Sequence, residues 1–379
     1  HGIVAIGALA LCKNTSGDNN TAVGFCSLVC NTSGGNNTAV GNFVLKANTT
    51  GGNNASVGHN AMLANTEGGS NVAMGRNALK SNISANLNTA VGDCALQANT
   101  TAADNAAFGA YTLRTNTTGA ANTAVGKNAL LSNTTAGENT AVGYNTLFAN
   151  TTGGVNSAFG RGAMQSNTTG ACNVAVGTNA LNANLATHRN TAVGQNALCS
   201  ATAGDGNTAI GRQAGCAVTT GVNNTALGGN TQPGTTGSNN TVVGDGAGSD
   251  AVRTITTNSN EIVLGNNAIS SAFIKVDWTV TSDLRDKINI ENVPYGLDFV
   301  NQITPIKYNF KKSRENATSH GRKRFGFKAQ EILALEGDNP VLIDNDDEDN
   351  LKLTGAYLIP VLVNAIKELK AEIELLKNK

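Results

Sequence analysis

The chain has 379 residues, with 26 Lys or Arg against 26 Asp or Glu, so its formal net charge is zero; only 4% of its residues are aromatic. A neutral chain has no long-range electrostatic pull toward nucleic acid or an anionic membrane surface, and neither is an expected partner. No apolar run approaches the roughly 18 residues of a membrane span, and no signal peptide is read at the start.

From Gly7 to Gly228, fourteen glycines stand 17 residues apart without a slip. A fixed short period means a solenoid. Each copy places Asn four residues before the glycine, then Thr-Ala-Val, as in Asn37-Thr38-Ala39-Val40-Gly41, and closes on Asn-Thr-Thr-Gly-Gly. Four residues after the glycine, Leu or Met fills twelve successive copies from Leu11 to Leu198, a column expected to form the core. The opening Asn recurs from Asn20 to Asn224 and a second Asn column runs from Asn14 to Asn184, so two stacked amide ladders are expected. A copy is too short for two helices. It holds one β-favouring run followed by residues that turn a chain, so each copy reads as one coil of a β-solenoid. Fourteen coils at the usual strand spacing of about 4.8 Å predict a rod roughly 65 to 70 Å long. Period-2 alternation is read as placing Val inside with the Leu column. It leaves Ala and Gly on an outer face for close approach of a neighbour, as a trimer axis requires.

Composition divides the chain. Residues 1–250 carry 9 Lys or Arg and 8 Asp or Glu, whereas the remaining residues carry 17 and 18. Trp278 and all five prolines lie beyond the regular repeats, and the period breaks after Gly228, with Gly244 and Gly265 out of step. The reading is a repeat shaft over 1–228, irregular last coils and a neck over 229–275, and a separate domain over 276–379. The sequence opens inside a copy, as expected of a piece whose natural beginning lies upstream.

The seven cysteines are scattered, and those sharing a repeat position stand in adjacent coils only at Cys199 and Cys216. They are expected to fill small spaces rather than build a disulfide framework. With four histidines, none near a cysteine pair, no metal site and no cofactor are expected. The Asn-x-Thr sequons follow from the repeat itself. Adjacent threonines such as Thr117 and Thr118 would point to opposite faces of a strand, which argues against an ice-binding array.

The C-terminal segment carries the one candidate for chemistry. Trp278-Thr279-Val280-Thr281-Ser282-Asp283-Leu284-Arg285-Asp286-Lys287 is followed by Phe325-Gly326-Phe327-Lys328-Ala329-Gln330-Glu331-Ile332. A closing helix then contains Asn364-Ala365-Ile366-Lys367-Glu368-Leu369. In order and spacing these motifs resemble the intramolecular chaperone domain of peptidase S74 type, found at the end of phage tail spikes and tail fibres. The shaft, in turn, is similar to the left-handed β-roll heads of trimeric autotransporter adhesins, with a longer repeat. With the repeats, the expected fold is mostly β, a trimeric solenoid followed by an α+β domain. The first resemblance implies that this domain helps three shafts find each other and fold, and then cuts itself away. It implies Ser282 as nucleophile, Lys287 as base, and cleavage between Thr281 and Ser282. A lysine can serve as base once burial lowers its pKa. Asp286 and Lys328 stand where the family pattern has apolar residues. On spacing alone, Ser282 and Lys287 also read as an N-cap serine and a solvated lysine at a helix start.

The last helix is predicted to begin near Pro360. Ile359, Leu362, Ile366, Leu369, Ile373 and Leu376 recur in steps of three and four, the seam of a coiled coil. The acidic run Asp344 to Asp349 reads as a solvated loop, since it lacks the Gly and closing Glu of a calcium loop. The function class is a structural and adhesive homotrimeric fibre on a virion tail or extracellular surface, at most a single-turnover self-cleaving endopeptidase. A host-surface glycan or protein is its expected external partner. The alternative is a cell-surface adhesin that keeps its C-terminal domain as a non-cleaving trimer clamp. Charged residues in the shaft are too sparse for a paired-carboxylate glycosidase site.

Overall fold

The computed structural model describes residues 2–250, 253–269, 272–273, 275, 282–311, 317–338, 340–345 and 351–378. It divides into two compact units, His1–Asn266 and Asn267–Lys379.

In the first unit each copy contributes one three-residue strand, from β1 (Val4–Ile6) and β2 (Thr21–Val23) to β14 (Thr225–Leu227). Two further strands, β15 (Thr241–Val243) and β16 (Ile262–Leu264), continue the stack through the segment where the period slips. All sixteen form one parallel sheet in strict chain order. The register never shifts: Thr21, Ala22 and Val23 face Thr38, Ala39 and Val40, and so along the stack. At the usual strand spacing the sixteen strands span about 72 Å.

The Leu column is the core: Leu28, Leu45, Leu79, Leu96, Leu113 and Leu130 are fully buried. Inside and outside are reversed within Thr-Ala-Val, however. Ala22, Ala39, Ala90 and Ala124 are buried against the Leu column, while Val and Thr face outward. Alternation fixes which residues share a face, not which face is interior. A 17-residue coil closes around an interior already holding Leu, a second Ala such as Ala95 or Ala129, and two rows of Asn, so the central strand position takes the smallest side chain.

Both amide ladders form. In the first, the Asn20 Oδ1 accepts the backbone N–H of Asn37 one coil on at 2.9 Å, while the Asn20 Nδ2 donates to the Gly34 carbonyl at 2.8 Å. In the second, the Asn31 Nδ2 donates both to the Asn14 Oδ1 at 2.7 Å and to the Gly34 carbonyl at 2.9 Å. Buried amides thus satisfy the backbone groups that the turns leave unpaired.

The corners explain the remaining columns. The Gly24 column sits at φ near +129°, a region few side chains enter. At Gly126 an added Cβ would lie 2.6 Å from the Gly143 carbonyl oxygen of the next coil. Asn36, Asn53 and Asn60 occupy left-handed corners that asparagine tolerates. The core leucines do too, with Leu28 at φ 50° and Leu130 at φ 51°. That conformation costs roughly 1 to 2 kcal/mol, and full burial of a Leu contributes roughly 1.5 to 3 kcal/mol, so the buried side chain holds its own corner. Cys199 and Cys216, in adjacent coils at one repeat position, form a disulfide with Cα atoms 4.9 Å apart. The expectation that the cysteines merely fill space is corrected for this pair. Straight stacking superimposes equivalent Cβ atoms, which brings two such cysteines within bonding range.

The second unit is small and mixed. Helix α1 (Leu297–Gln302) leads into an antiparallel hairpin of β17 (Ile306–Lys311) and β18 (Ser319–Gly326). Helix α2 (Ala329–Glu336), a short pair β19 (Ile343–Asp344) and β20 (Lys352–Leu353), and helix α3 (Leu358–Lys377) complete it. Phe299, Ile332, Leu342, Ile343, Leu358 and Val361 are its core. Pro360 lies in the first turn of α3, where its missing N–H costs nothing.

Candidate cleavage site and chaperone unit

A short 3-10 turn, Leu284–Asp286, separates the two residues singled out for chemistry. Asp283 caps it: the carboxylate accepts the Arg285 backbone N–H at 2.9 Å and the Arg285 Nε at 3.0 Å. The Arg285 side chain, then its backbone N–H, hold the Asp283 carboxyl below its ordinary pKa. The Lys287 backbone N–H returns to the Leu284 carbonyl at 3.2 Å, closing the turn. Residues five apart therefore meet, and the Lys287 Nζ donates to the Ser282 Oγ at 2.7 Å.

The cap is thus Asp283 and not Ser282, whose hydroxyl is engaged by the lysine. A charged amine donates in this contact; the same geometry lets a neutral amine accept the hydroxyl proton. Residues 282 to 290 are all exposed, so the described residues of the chain do not bury Lys287. Thr281, the proposed acyl side of the cut, lies outside the described residues, as does Trp278. So do Asp346 to Asp349 of the acidic run; Asp344 pairs with Lys352 at 3.7 Å.

The second motif straddles the hairpin exit. Phe327 packs on the core and Ile332 is fully buried in it, whereas Phe325 is exposed. Lys328 does not interrupt the core: it is the N-cap residue of α2 and points to solvent, 4.0 Å from Glu331. The exposed Asp286 ends the 3-10 turn. At the far end of α2, the Glu336 carboxylate accepts the backbone N–H groups of Val341, Leu342 and Ile343 at 2.9, 2.8 and 3.1 Å. On α3, Asn364 donates to the carbonyls of Val293 and Tyr295 at 3.1 and 3.3 Å. The Glu368 carboxylate accepts the Leu297 backbone N–H at 2.6 Å. These polar clasps tie the segment after Lys287 to α3. Sequence reading named Asn364 and Glu368 as part of a motif but assigned them no task, because their partners are backbone groups about 70 residues away.

Residues 282–339 match the family model for peptidase S74, chaperone of endosialidase. The C-terminal unit carries that chaperone domain. The matched segment opens on Ser282 and includes Lys287 and Phe325 to Ile332; α3 follows it. No curated protein matches the chain. A chaperone domain behind a solenoid of repeated coils makes this a fibre-like protein. Among the described residues no helix is long and apolar enough to cross a membrane, and no cluster of His, Cys, Asp or Glu is placed to hold a metal.

Proposed function

We propose that the chain is a trimeric structural and adhesive fibre of a phage tail or extracellular appendage. Its chaperone domain brings three shafts together and then releases itself. The observation that carries the self-cleaving part is the 2.7 Å contact between Lys287 Nζ and Ser282 Oγ at the first residue of the matched domain. The Ser282 hydroxyl attacks the Thr281 carbonyl carbon and gives its proton to the Lys287 amine. The amine passes that proton to the departing Ser282 nitrogen as the amide bond breaks. Water then hydrolyses the ester, leaving a Thr281 carboxylate on the shaft and a free Ser282 amine on the released unit.

Assembly is supported by α3. Its inner face, Leu358, Val361 and Ala365, is buried in its own unit, yet the predicted seam residues Ile359, Leu362, Ile366, Leu369, Ile373 and Leu376 are all exposed. A helix apolar on both faces has a second surface to cover. Covering the chaperone domain with further copies also offers the burial that a neutral lysine base requires.

A second reading, a clamp that stays attached, is favoured by the exposure of Ser282 and Lys287 in the single chain. Intact mass of purified protein beside Ser282→Ala separates the two. Self-maturation yields a fragment spanning 282–379 from the wild type alone. Full-length chains in both samples leave the clamp.

A further inference from the structure

The outward side of the solenoid sheet shows something the repeat motif alone does not. Its last strand position, from Ile6 to Leu264, is Val, Ile, Leu, Met or Phe in all sixteen strands, aligned rung on rung. Met74, Phe108, Phe159 and Ile210 on this row are 44%, 42%, 41% and 45% exposed. The other outward row, two residues earlier, holds only Thr, Ser, Ala, Val or Ile. Neither row contains a charged residue, an asparagine or a glutamine. The exclusion is local, because the very next outward column past the glycine carries Arg76, Asp93, Lys127, Arg161 and Arg212.

A strip about 72 Å long and about 10 Å wide presents roughly 700 Å² per chain. The apolar row accounts for about half of that, and the two rows together approach the ~800 Å² per partner of a standard interface. A face that repeats every ~4.8 Å over sixteen rungs is matched along its length by a surface with the same rhythm, and a parallel copy of this chain has it. A row one residue wide fits an axis on which equivalent rows from several copies converge, the closed arrangement that stops further growth.

We propose that the sheet face, not the Ala and Gly positions, is the surface through which shafts of this protein pack on one another, parallel and rung for rung, about a common axis. The inference rests on the trimeric-fibre reading and names its interface.

The test uses the full chain. Phe108→Asp combined with Val125→Asp places charge on two adjacent rungs of the face. Thr118→Asp places it on an exposed corner half a coil away. Sedimentation of the wild type and of Thr118→Asp as trimers, with the double variant running as single chains of unchanged far-UV circular dichroism, is the expected result. Cysteine at position 125 guards against a variant that fails to fold. Mild oxidation of Val125→Cys gives a cross-linked pair of chains absent from both the wild type and Thr118→Cys. A wild type that is trimeric, with a double variant equally trimeric and no cross-link at 125, overturns the interface and leaves the fibre reading standing. A wild type that sediments as a single chain overturns both.

Discussion

The Asn116 side-chain amide donates to the Asn99 Oδ1 at 3.1 Å and to the Gly119 carbonyl at 2.9 Å, all three residues buried. In turn the Asn133 Nδ2 donates to the Asn116 Oδ1 at 2.8 Å, so each residue of the ladder supports the coils on both sides. Asn116→Ala leaves the buried Asn99 Oδ1 without its partner. It also removes one of two hydrogen bonds at the Gly119 carbonyl, which keeps the Asn105 amide, and one at the Asn133 amide, which keeps the Ala136 carbonyl. An unmet buried polar group costs about 1 to 3 kcal/mol, and the loss is expected to fall in that range. The smaller side chain itself fits, since Ala201 takes the same place in a later coil. Amide hydrogen exchange should accelerate around coils 99 to 133 and remain slow near Asn48.

Gly126→Ala tests the glycine column. Its φ of 121° and the 2.6 Å approach of the Gly143 oxygen leave a methyl group no room, and the clash is with backbone rather than a movable side chain. The variant is expected to lose about 3 kcal/mol or more, in the range of a strongly destabilising core substitution. Denaturant unfolding of wild type and variant under identical conditions measures it.

Ser56 occupies the interior strand position that is alanine in most coils, and its hydroxyl is buried with no hydrogen-bond partner among the described residues. Ser56→Ala is expected to stabilise the protein by about 1 kcal/mol, through removal of an unsatisfied polar group at nearly constant volume. An unchanged or lower midpoint in chemical denaturation contradicts this.

The Asp283 cap makes the turn that positions Lys287 pH-sensitive. Arg285 holds the folded carboxyl below its ordinary value, so its contribution is present above the ordinary carboxylate range, near pH 4. It is lost as pH falls through that lowered value. A carbon-detected titration of Asp283 should show the depressed midpoint, and Arg285→Ala should return it toward the ordinary value.

Single-residue columns made most of the shaft legible: the 17-residue period, the Leu core and both Asn ladders each need only one repeated letter. The facing of Thr-Ala-Val was not legible, because alternation is symmetric and the deciding quantity is the room left inside a closed coil. Nor were the left-handed corners at Leu28 and its equivalents, where burial overrides a local preference for Gly or Asn. At the candidate site, the spacing of Ser282 and Lys287 was readable against a family pattern. The cap by Asp283 was not, because Ser282 offers a competing cap one residue earlier. Cys199 and Cys216 were flagged as neighbours by the period, but bonding depended on how straight the coils stack.

Refolding yield tests most directly the claim that the C-terminal unit assembles the shaft. Full-length chains and chains ending at Thr281 are unfolded in guanidinium, diluted together under identical conditions, and sedimented. The account predicts trimers from the full-length protein, at three times the 38.5 kDa chain mass where Ser282→Ala keeps the domain attached, and aggregates or single chains from the truncated one. Equal recovery of trimers from both contradicts it.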